Sequence, residues 1–424
     1  MKARRPFLFQ SMASIIDQAL LSGLNFLIGI ALIRYASKET YGLYSQLFGV
    51  GLLTTTLLDA LIGAALTTLS ARLSPDDRVS FVARTARIHW VVSAALAALA
   101  GTGVWAFAET LALAESSVAL GLAFAAFTFS LASREYCRTA LFIRSHSDVV
   151  AKLDLVFVVL TLLGATLLLL VDNITVTEII CLLATSNGIA AALYSRSLVR
   201  DADPNTHWKD YSKDVRALWS LSRWAVAGSV LGWFGNNSYL YFVGGLVGVA
   251  ALADLNAARL LLMPIVIVGM AWSRVARPAM GQMIANSDWE KLRRFVLKSF
   301  MTMEGITIVY VVVLLTSFPW LSSHILGGKY RDILVLLMLW GCYFAANAAR
   351  IIGTTVLTSL GAFRALFWQG LVSVFLLVLM WSWWIPQFGA IGGVSAMIVV
   401  ELGELLANHL YLLPRAKAKL LVLE

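Results

Sequence analysis

The sequence predicts an all-α integral membrane protein of about twelve transmembrane helices. Three observations predict it. Hydrophobic residues make up 59% of the 424-residue chain and charged residues only 13%, where a soluble domain carries roughly 25% charged residues. The apolar residues fall in continuous runs of about 20, the length that crosses a ~30 Å hydrocarbon core as a helix. They do not alternate with polar ones as barrel strands would. Finally, the basic residues are partitioned. With the N-terminus in the cytoplasm, 27 of the 33 Lys and Arg fall on cytoplasmic segments. Four fall on external turns (Arg34, Lys38, Lys329, Arg331), and Arg259 and Arg350 lie inside spans. The positive-inside rule then puts both termini in the cytoplasm and requires an even number of spans.

The first span, 9–33, follows the basic stretch "MKARRPFLFQ". Its apolar run continues to Leu32 with no small-residue cleavage site, so it reads as a retained span rather than a signal peptide. "RYASKETYG" is the external turn to span 42–66, with Tyr35, Tyr41 and Tyr44 suiting an interfacial belt and Gly42 a helix end. Span 88–108 follows a basic segment. Spans 117–142 and 149–171 flank a basic turn, and 176–198 ends at the polar stretch "SRSLVRDADPNTHWKDYSKDVR". Spans 218–242, 248–272 and 296–317 follow. The external segment "SFPWLSSHILGGKYR" then leads to spans 332–357, 364–384 and 389–413. No external segment is large enough for a catalytic domain. Trp320, Trp381, Trp383 and Trp384 are placed in the external aromatic belt.

The polar stretch in mid-chain divides the spans six and six. The expected organisation is a six-helix lobe at 1–198, a cytoplasmic linker at 199–217, a second six-helix lobe at 218–413 and a basic cytoplasmic tail at 414–424. Lobes of even span number share an orientation and are related by a pseudo-two-fold axis along the membrane normal. Two weak echoes support a duplication. "TALFIRSHSDVVAKLDLVFVVL" matches the pattern of "GTTVLTSLGAFRALFWQGLVSVFL", and "RYASKETYGLYSQLFGVGLL" that of "GGLVGVAALADLNAARLLL".

The net charge of +9 follows from the positive-inside bias and calls for no nucleic acid. Cys137, Cys181 and Cys342 lie in or beside apolar runs without ligand spacing and read as free thiols. There is no Walker motif, metal-spaced histidine pair, nucleophile elbow or Gly-rich dinucleotide loop. The reading is therefore of a non-enzyme without a cofactor, a metal or catalytic residues. Any uphill work would need an ion gradient, H⁺ or Na⁺, or a downstream sink.

Ionisable groups inside a span cost roughly 2.5–3.5 kcal/mol on insertion scales and default to facing protein or a wet cavity. The deepest are Asp17, Asp59, Arg259, Glu304, Arg350, Glu401 and Glu404. Arg134, Glu135, Arg138 and Asp154 lie nearer the cytoplasmic face, where they can snorkel. Asn347, Arg350, Thr354 and Thr358 share one stripe of a helix, as do Glu401, Glu404 and Asn408. Asn236 and Asn237 sit in mid-span. Each has a structural alternative: Arg350 with Glu401 as helix glue, Asp17 paired with Arg138, Glu304 reaching Lys298, the asparagines bonding between helices. Arg259, near mid-membrane, is the hardest to dismiss.

Several segments together are similar to one family. They are "NFLIGIALIRYASKETYGLYSQLFGVGLL", "VGVAALADLNAARLLLMPIVIVGMAWSRVARPAM", "HILGGKYRDILVLLML" and "TSLGAFRALFWQGLVSVFLLVLM…IPQFGAIGGVSAMIVVEL". On these the chain resembles the polysaccharide-transporter branch, the Wzx-like flippases, of the multidrug/oligosaccharidyl-lipid/polysaccharide (MOP) exporter superfamily. The resemblance implies a flippase in a bacterial inner membrane. It would carry a polyprenyl-diphosphate-linked oligosaccharide by alternating access for O-antigen, capsule or exopolysaccharide assembly. Membrane lipids and polysaccharide polymerase or assembly proteins would be its other partners. Arg259, Arg350, Arg138, Arg134, Asn347, Asn236 and Asn237 would then meet diphosphate and sugar. Asp17, Asp59, Glu304, Glu401 and Glu404 are the ion-coupling candidates. Where many relatives carry an acidic residue in span 7, this chain has "FGNNSYLYF", so coupling would come from elsewhere. The alternatives are a multidrug or cation antiporter of the same superfamily, a lipid II flippase, a membrane enzyme and a structural assembly partner.

Overall fold

A computed structural model describes residues 7–110, 117–170, 174–200 and 208–415. The described residues are helical from end to end, joined by short turns. They comprise α1 (Phe7–Tyr35), α2 (Lys38–Leu58), α3 (Ala64–Ser70), α4 (Pro75–Thr110), α5 (Ser117–Ile143), α6 (Ser147–Leu168) and α7 (Val176–Arg200). Then come α8 (Trp208–Asn237), α9 (Tyr239–Leu246), α10 (Val249–Ala285), α11 (Trp289–His324), α12 (Leu334–Ser359) and α13 (Phe363–Ala407).

These helices account for the twelve expected spans. Among the described residues nine helices are long and apolar enough to cross a membrane. One of the nine is α13 with its continuation, which is two rods in sequence: Gly389 interrupts it at φ 59°, ψ −139°, a conformation open to glycine and strained for other residues. Of α1 only Leu20–Tyr35 counts, as a shorter apolar helix. The rod of α8 and α9 begins charged and breaks at Ser238.

The helices overrun the hydrophobic windows, because caps and turns rather than hydropathy end them. Ser37 caps α2 by accepting from the Thr40 N–H at 3.0 Å. The Gly42 helix-end expectation is thereby corrected: Gly42 lies inside α2 and is buried. Tyr41 and Tyr44 are likewise core residues, and only Tyr35 is exposed as expected of a belt. Trp381 is also not a belt residue; it is fully buried and its indole N–H donates to the Gly393 carbonyl at 3.0 Å.

The first sequence echo corresponds to one turn built twice. After α5 the His146 N–H returns to the Leu141 carbonyl at 2.9 Å, with Ser145 at φ 59°. After α12 the Ala362 N–H returns to the Leu357 carbonyl at 3.0 Å, with Gly361 at φ 73°. Both are six-to-one closures through a left-handed residue, which satisfy carbonyls the helix end would otherwise orphan.

Two π-turns interrupt the helices. Asp59–Gly63 joins α2 to α3, and Asn408–Leu412 continues α13. A π-turn is one residue wider than α-helix and is frequent at functional sites.

The chain divides into two compact units, residues 1–233 and 234–424, and the division falls within α8. In the first unit the start of α8 is fastened to α4: Arg84 pairs with Asp214 at 2.7 Å and Arg87 donates to the Tyr211 hydroxyl at 2.6 Å. The α4–α5 contact is backbone-close. A Cβ on Gly121 would lie 2.9 Å from the Gly101 carbonyl oxygen and 2.8 Å from Trp105 Cβ, the small-residue packing that lets helices associate in lipid. The second unit centres on Trp340, whose indole donates to the Leu255 carbonyl at 3.1 Å.

Candidate functional site

The first unit encloses a cavity of about 420 Å³, lined by residues including Asp59, His89, Arg134, Glu135, Arg138 and Asn187. Arg134 and Arg138 lie one turn apart on α5, so both point at α6. Arg138 Nε donates to Asp154 at 2.8 Å and its Nη1 to Glu135 at 2.8 Å. Arg134 reaches Glu135 at 2.8 Å and Asp154 at 3.7 Å, and its guanidinium carbon stands 3.8 Å from the centre of the Phe157 ring. The snorkelling expectation fails for Arg134 and Asp154, while Arg138 and Glu135 are only partly buried. Arg134 is 5% exposed and Asp154 is 0%. Opposite charges on both sides offset the cost of that burial, although Arg134 Nε and Nη1 have no hydrogen-bond partner among the described residues.

Asp59, opening the π-turn, is exposed to the cavity. A Cβ on Gly63 would sit 2.3 Å from an Asp59 carboxylate oxygen, so the carboxylate folds over that glycine. Asp59 forms no ion pair with a described residue. His89, which sequence reasoning passed over, donates from Nε2 to the Ala132 carbonyl at 3.1 Å and stacks on Tyr136 at 4.6 Å. Asp17 falls on α1, but its side chain lies outside the described residues.

In the second unit, α12 and α13 bring a second set together. Arg350 Nε contacts Glu401 and lies 3.2 Å from Glu404. Asn347, one turn from Arg350, donates to Glu401 at 2.8 Å. Asn408, at the head of the second π-turn, donates to Thr354 at 3.3 Å. The two stripes read from the sequence thus face each other.

Arg259 stands differently. It is ten residues into α10, about 15 Å along the helix. Its Nη1 donates to the Tyr239 hydroxyl at 2.8 Å, and that hydroxyl donates on to Asn256 at 2.7 Å. Its guanidinium carbon is 5.4 Å from the Tyr239 ring centre and 5.5 Å from that of Trp340. These aromatic faces stabilise the cation without neutralising it. No described carboxylate pairs with Arg259, and its buried Nε–H has no acceptor. Tyr239, Asn256 and Trp340 were missed in the sequence. Only Asn256, one turn before Arg259, carried a periodic signal.

Asn236 and Asn237 are not mid-span, as expected, but at the end of α8, where the chain breaks before Tyr239. The Glu304–Lys298 contact is absent among the described residues. Glu304 is half-buried on α11 with one carboxylate oxygen unpartnered. Cys137 is buried, Cys181 and Cys342 are exposed, and all three are free. Among the described residues no group of three or more His, Cys, Asp or Glu could hold a metal.

Comparison with known proteins follows the same line. No curated protein matches the chain by sequence. An inward-facing multidrug resistance MATE family transporter of the MOP superfamily superposes with TM-score 0.71 at 12% identity, covering 96% of this chain and 95% of that one. The lipid II flippase MurJ, inward closed, gives TM-score 0.66 at 12% identity over 95% of this chain and 86% of that one. A MOP superfamily transporter from Pyrococcus furiosus gives 0.62 at 11% identity over 96% and 94%. The fold is therefore that of these transporters. The polysaccharide biosynthesis protein family matches residues 9–284, well over half of the sequence, and the chain belongs to that family.

Proposed function

We propose that this multi-pass membrane protein is a flippase. It carries a polyprenyl-diphosphate-linked oligosaccharide from the cytoplasmic to the outer leaflet of a bacterial inner membrane, by alternating access, for surface polysaccharide assembly. One observation carries the substrate class. Arg259 is a cation near mid-membrane that is held by aromatic faces and a phenol instead of a carboxylate. A buried charge without a counter-ion is costly, and an orphaned buried N–H adds to the cost. An anionic group entering beside Arg259 would relieve both. A diphosphate suits it, since guanidinium binds phosphate oxygens in pairs. Tyr239, Asn256 and Trp340 around it offer the stacking faces and hydrogen bonds that sugars accept.

Arg134, Arg138 and Arg350 are assigned a supporting role, because their charge is spent on carboxylates. Asp59, Glu304, Glu401 and Glu404 remain the groups proposed to exchange H⁺ or Na⁺ during transport. Polymerase or assembly proteins would take the product at the outer face. The test is to delete the gene and extract the lipids. A polyprenyl-diphosphate oligosaccharide should accumulate while surface polysaccharide falls. Wild type should restore both, and Arg259→Ala at normal abundance neither. Unchanged lipids and polysaccharide would overturn the reading.

A second reading is a cation antiporter. It is favoured by Asp59, a carboxylate without an ion-pair partner lining a 420 Å³ cavity. Raised drug resistance in cells expressing the protein, with unchanged lipids, would select it.

A further inference from the structure

The second unit holds a slot of about 1120 Å³ along α13, between its limb before Gly389 and its limb after. Its walls are Trp368, Val372, Leu376 and Met380 from the first limb and Val399 and Val400 from the second. Trp368, Val372, Leu376 and Val399 are among the exposed large hydrophobics, so the slot opens outward, with only Glu404 of the polar cluster at its inner side. Its floor is notched at Gly403, where a Cβ would meet nothing within 4 Å.

One end is basic. Arg364, at the start of the first limb, and Arg415, past the end of the second, both line it. Arg415 donates to the Tyr411 hydroxyl and lies 3.7 Å from the Tyr411 ring centre. The ring holds the guanidinium in place and leaves its charge unspent. Arg364 is exposed and forms no ion pair with a described residue. Glu404 lines the slot farther in, and its carboxylate lies 3.2 Å from Arg350, so it does not cancel the basic end. From Arg364 to Met380 the first limb rises about 24 Å, long enough to seat an acyl chain.

We propose that this slot binds an acidic phospholipid of the surrounding leaflet, its phosphate between Arg364 and Arg415 and one acyl chain along α13. A basic end on an apolar slot between helices is the chemistry that selects anionic headgroups. The positive-inside count puts this end at the cytoplasmic face. The occupant is a bilayer lipid because the slot faces the lipid, which reaches it by lateral diffusion. The proposal does not depend on the transported substrate.

The experiment uses full-length protein in vesicles of phosphatidylcholine with one part in five phosphatidylglycerol. The protein is then extracted in mild detergent, and co-purifying lipid is quantified by mass spectrometry. Wild type should retain phosphatidylglycerol well above its share of the vesicle. Arg364→Gln with Arg415→Gln should lower the selectivity, the retained phosphatidylglycerol-to-phosphatidylcholine ratio relative to that of the vesicle, by up to about 25-fold, at roughly fivefold per arginine near an anionic surface. Gly403→Leu fills the floor without touching charge, in a helix that prefers leucine to glycine, and should lower retention of both lipids. Enrichment unchanged in both variants would overturn the proposal. So would displacement of phosphatidylglycerol by an equal amount of added polyprenyl phosphate, which would make the slot a seat for isoprenoid.

Discussion

The two units carry the same ingredients, arginines and carboxylates gathered where two helices meet, and balance them differently. On α5 and α6, two arginines meet two carboxylates, a balanced quartet whose Arg134 and Asp154 are buried and whose Glu135 is partly exposed. On α12 and α13, one arginine meets two carboxylates. A balanced quartet has reason to stay as it is. An unbalanced triad holds a surplus negative charge in a low-dielectric place, and a proton or a cation would relieve it. Asp59 gives the first unit its own surplus, but at the rim of the quartet and on a π-turn. The difference suggests that stability is concentrated in one cluster and responsiveness in the other.

The comparison can be broken at its strongest point first. Asp154→Asn leaves Arg134 and Arg138 buried with Glu135 alone, and should cost about 3–5 kcal/mol. Loss of monodisperse protein in detergent and a lower thermal midpoint would register it. Equal stability of variant and wild type would mean that water reaches the quartet. Next, Arg350→Gln should cost about 1.5–3 kcal/mol, the worth of hydrogen bonds to charged groups. Adding Glu401→Gln should recover part of it, since two facing carboxylates are reduced to one. The same midpoint measurement, run as a double-mutant cycle, checks this. A purely additive result would show that Arg350 and Glu401 do not couple. The smallest expected effect on stability is that of Asp59→Asn, within about 0.5 kcal/mol because no ion pair is lost. Its effect should appear in transport, as loss of dependence on the ion gradient in a vesicle flux assay. Unaltered gradient dependence would move coupling to the unbalanced triad.

Much of the architecture was legible because lipid simplifies the code. A run of about 20 apolar residues has few options other than a spanning helix, and each expected span falls on a helix, although α4, α8, α10 and α11 run seven or more residues past the apolar window. The failures came where a polar group's partner lies far off in sequence. Arg134 and Asp154 looked like residues that snorkel, because nothing in a linear reading reveals that Phe157 and Glu135 close around them. The stripes on α12 and α13 were visible by period, and they do meet. Tyr239 was invisible for a different reason. Its position is set by the break at Ser238, and a serine in an apolar run carries no strong stop signal. Tyr41, Tyr44 and Trp381 were assigned to the interface by residue type. Packing overruled type, because a buried aromatic ring fills more of a core than any aliphatic side chain.

The π-turn at Asp59 can also be expressed as chain length. It is one residue more than an ordinary helix would use over the same rise. Deleting a single residue from 59–63 would let α2 and α3 fuse into one α-helix. The bulge absorbs that extra residue, so the side chains from Ala64 to Ser70 would keep their present facing while the widened turn disappears. A point substitution at Asp59 removes one carboxylate, but a one-residue deletion at 60–63 removes the wide turn and leaves the helix beyond it in register. A variant library that includes deletions would therefore separate the value of the carboxylate from the value of the bulge that presents it.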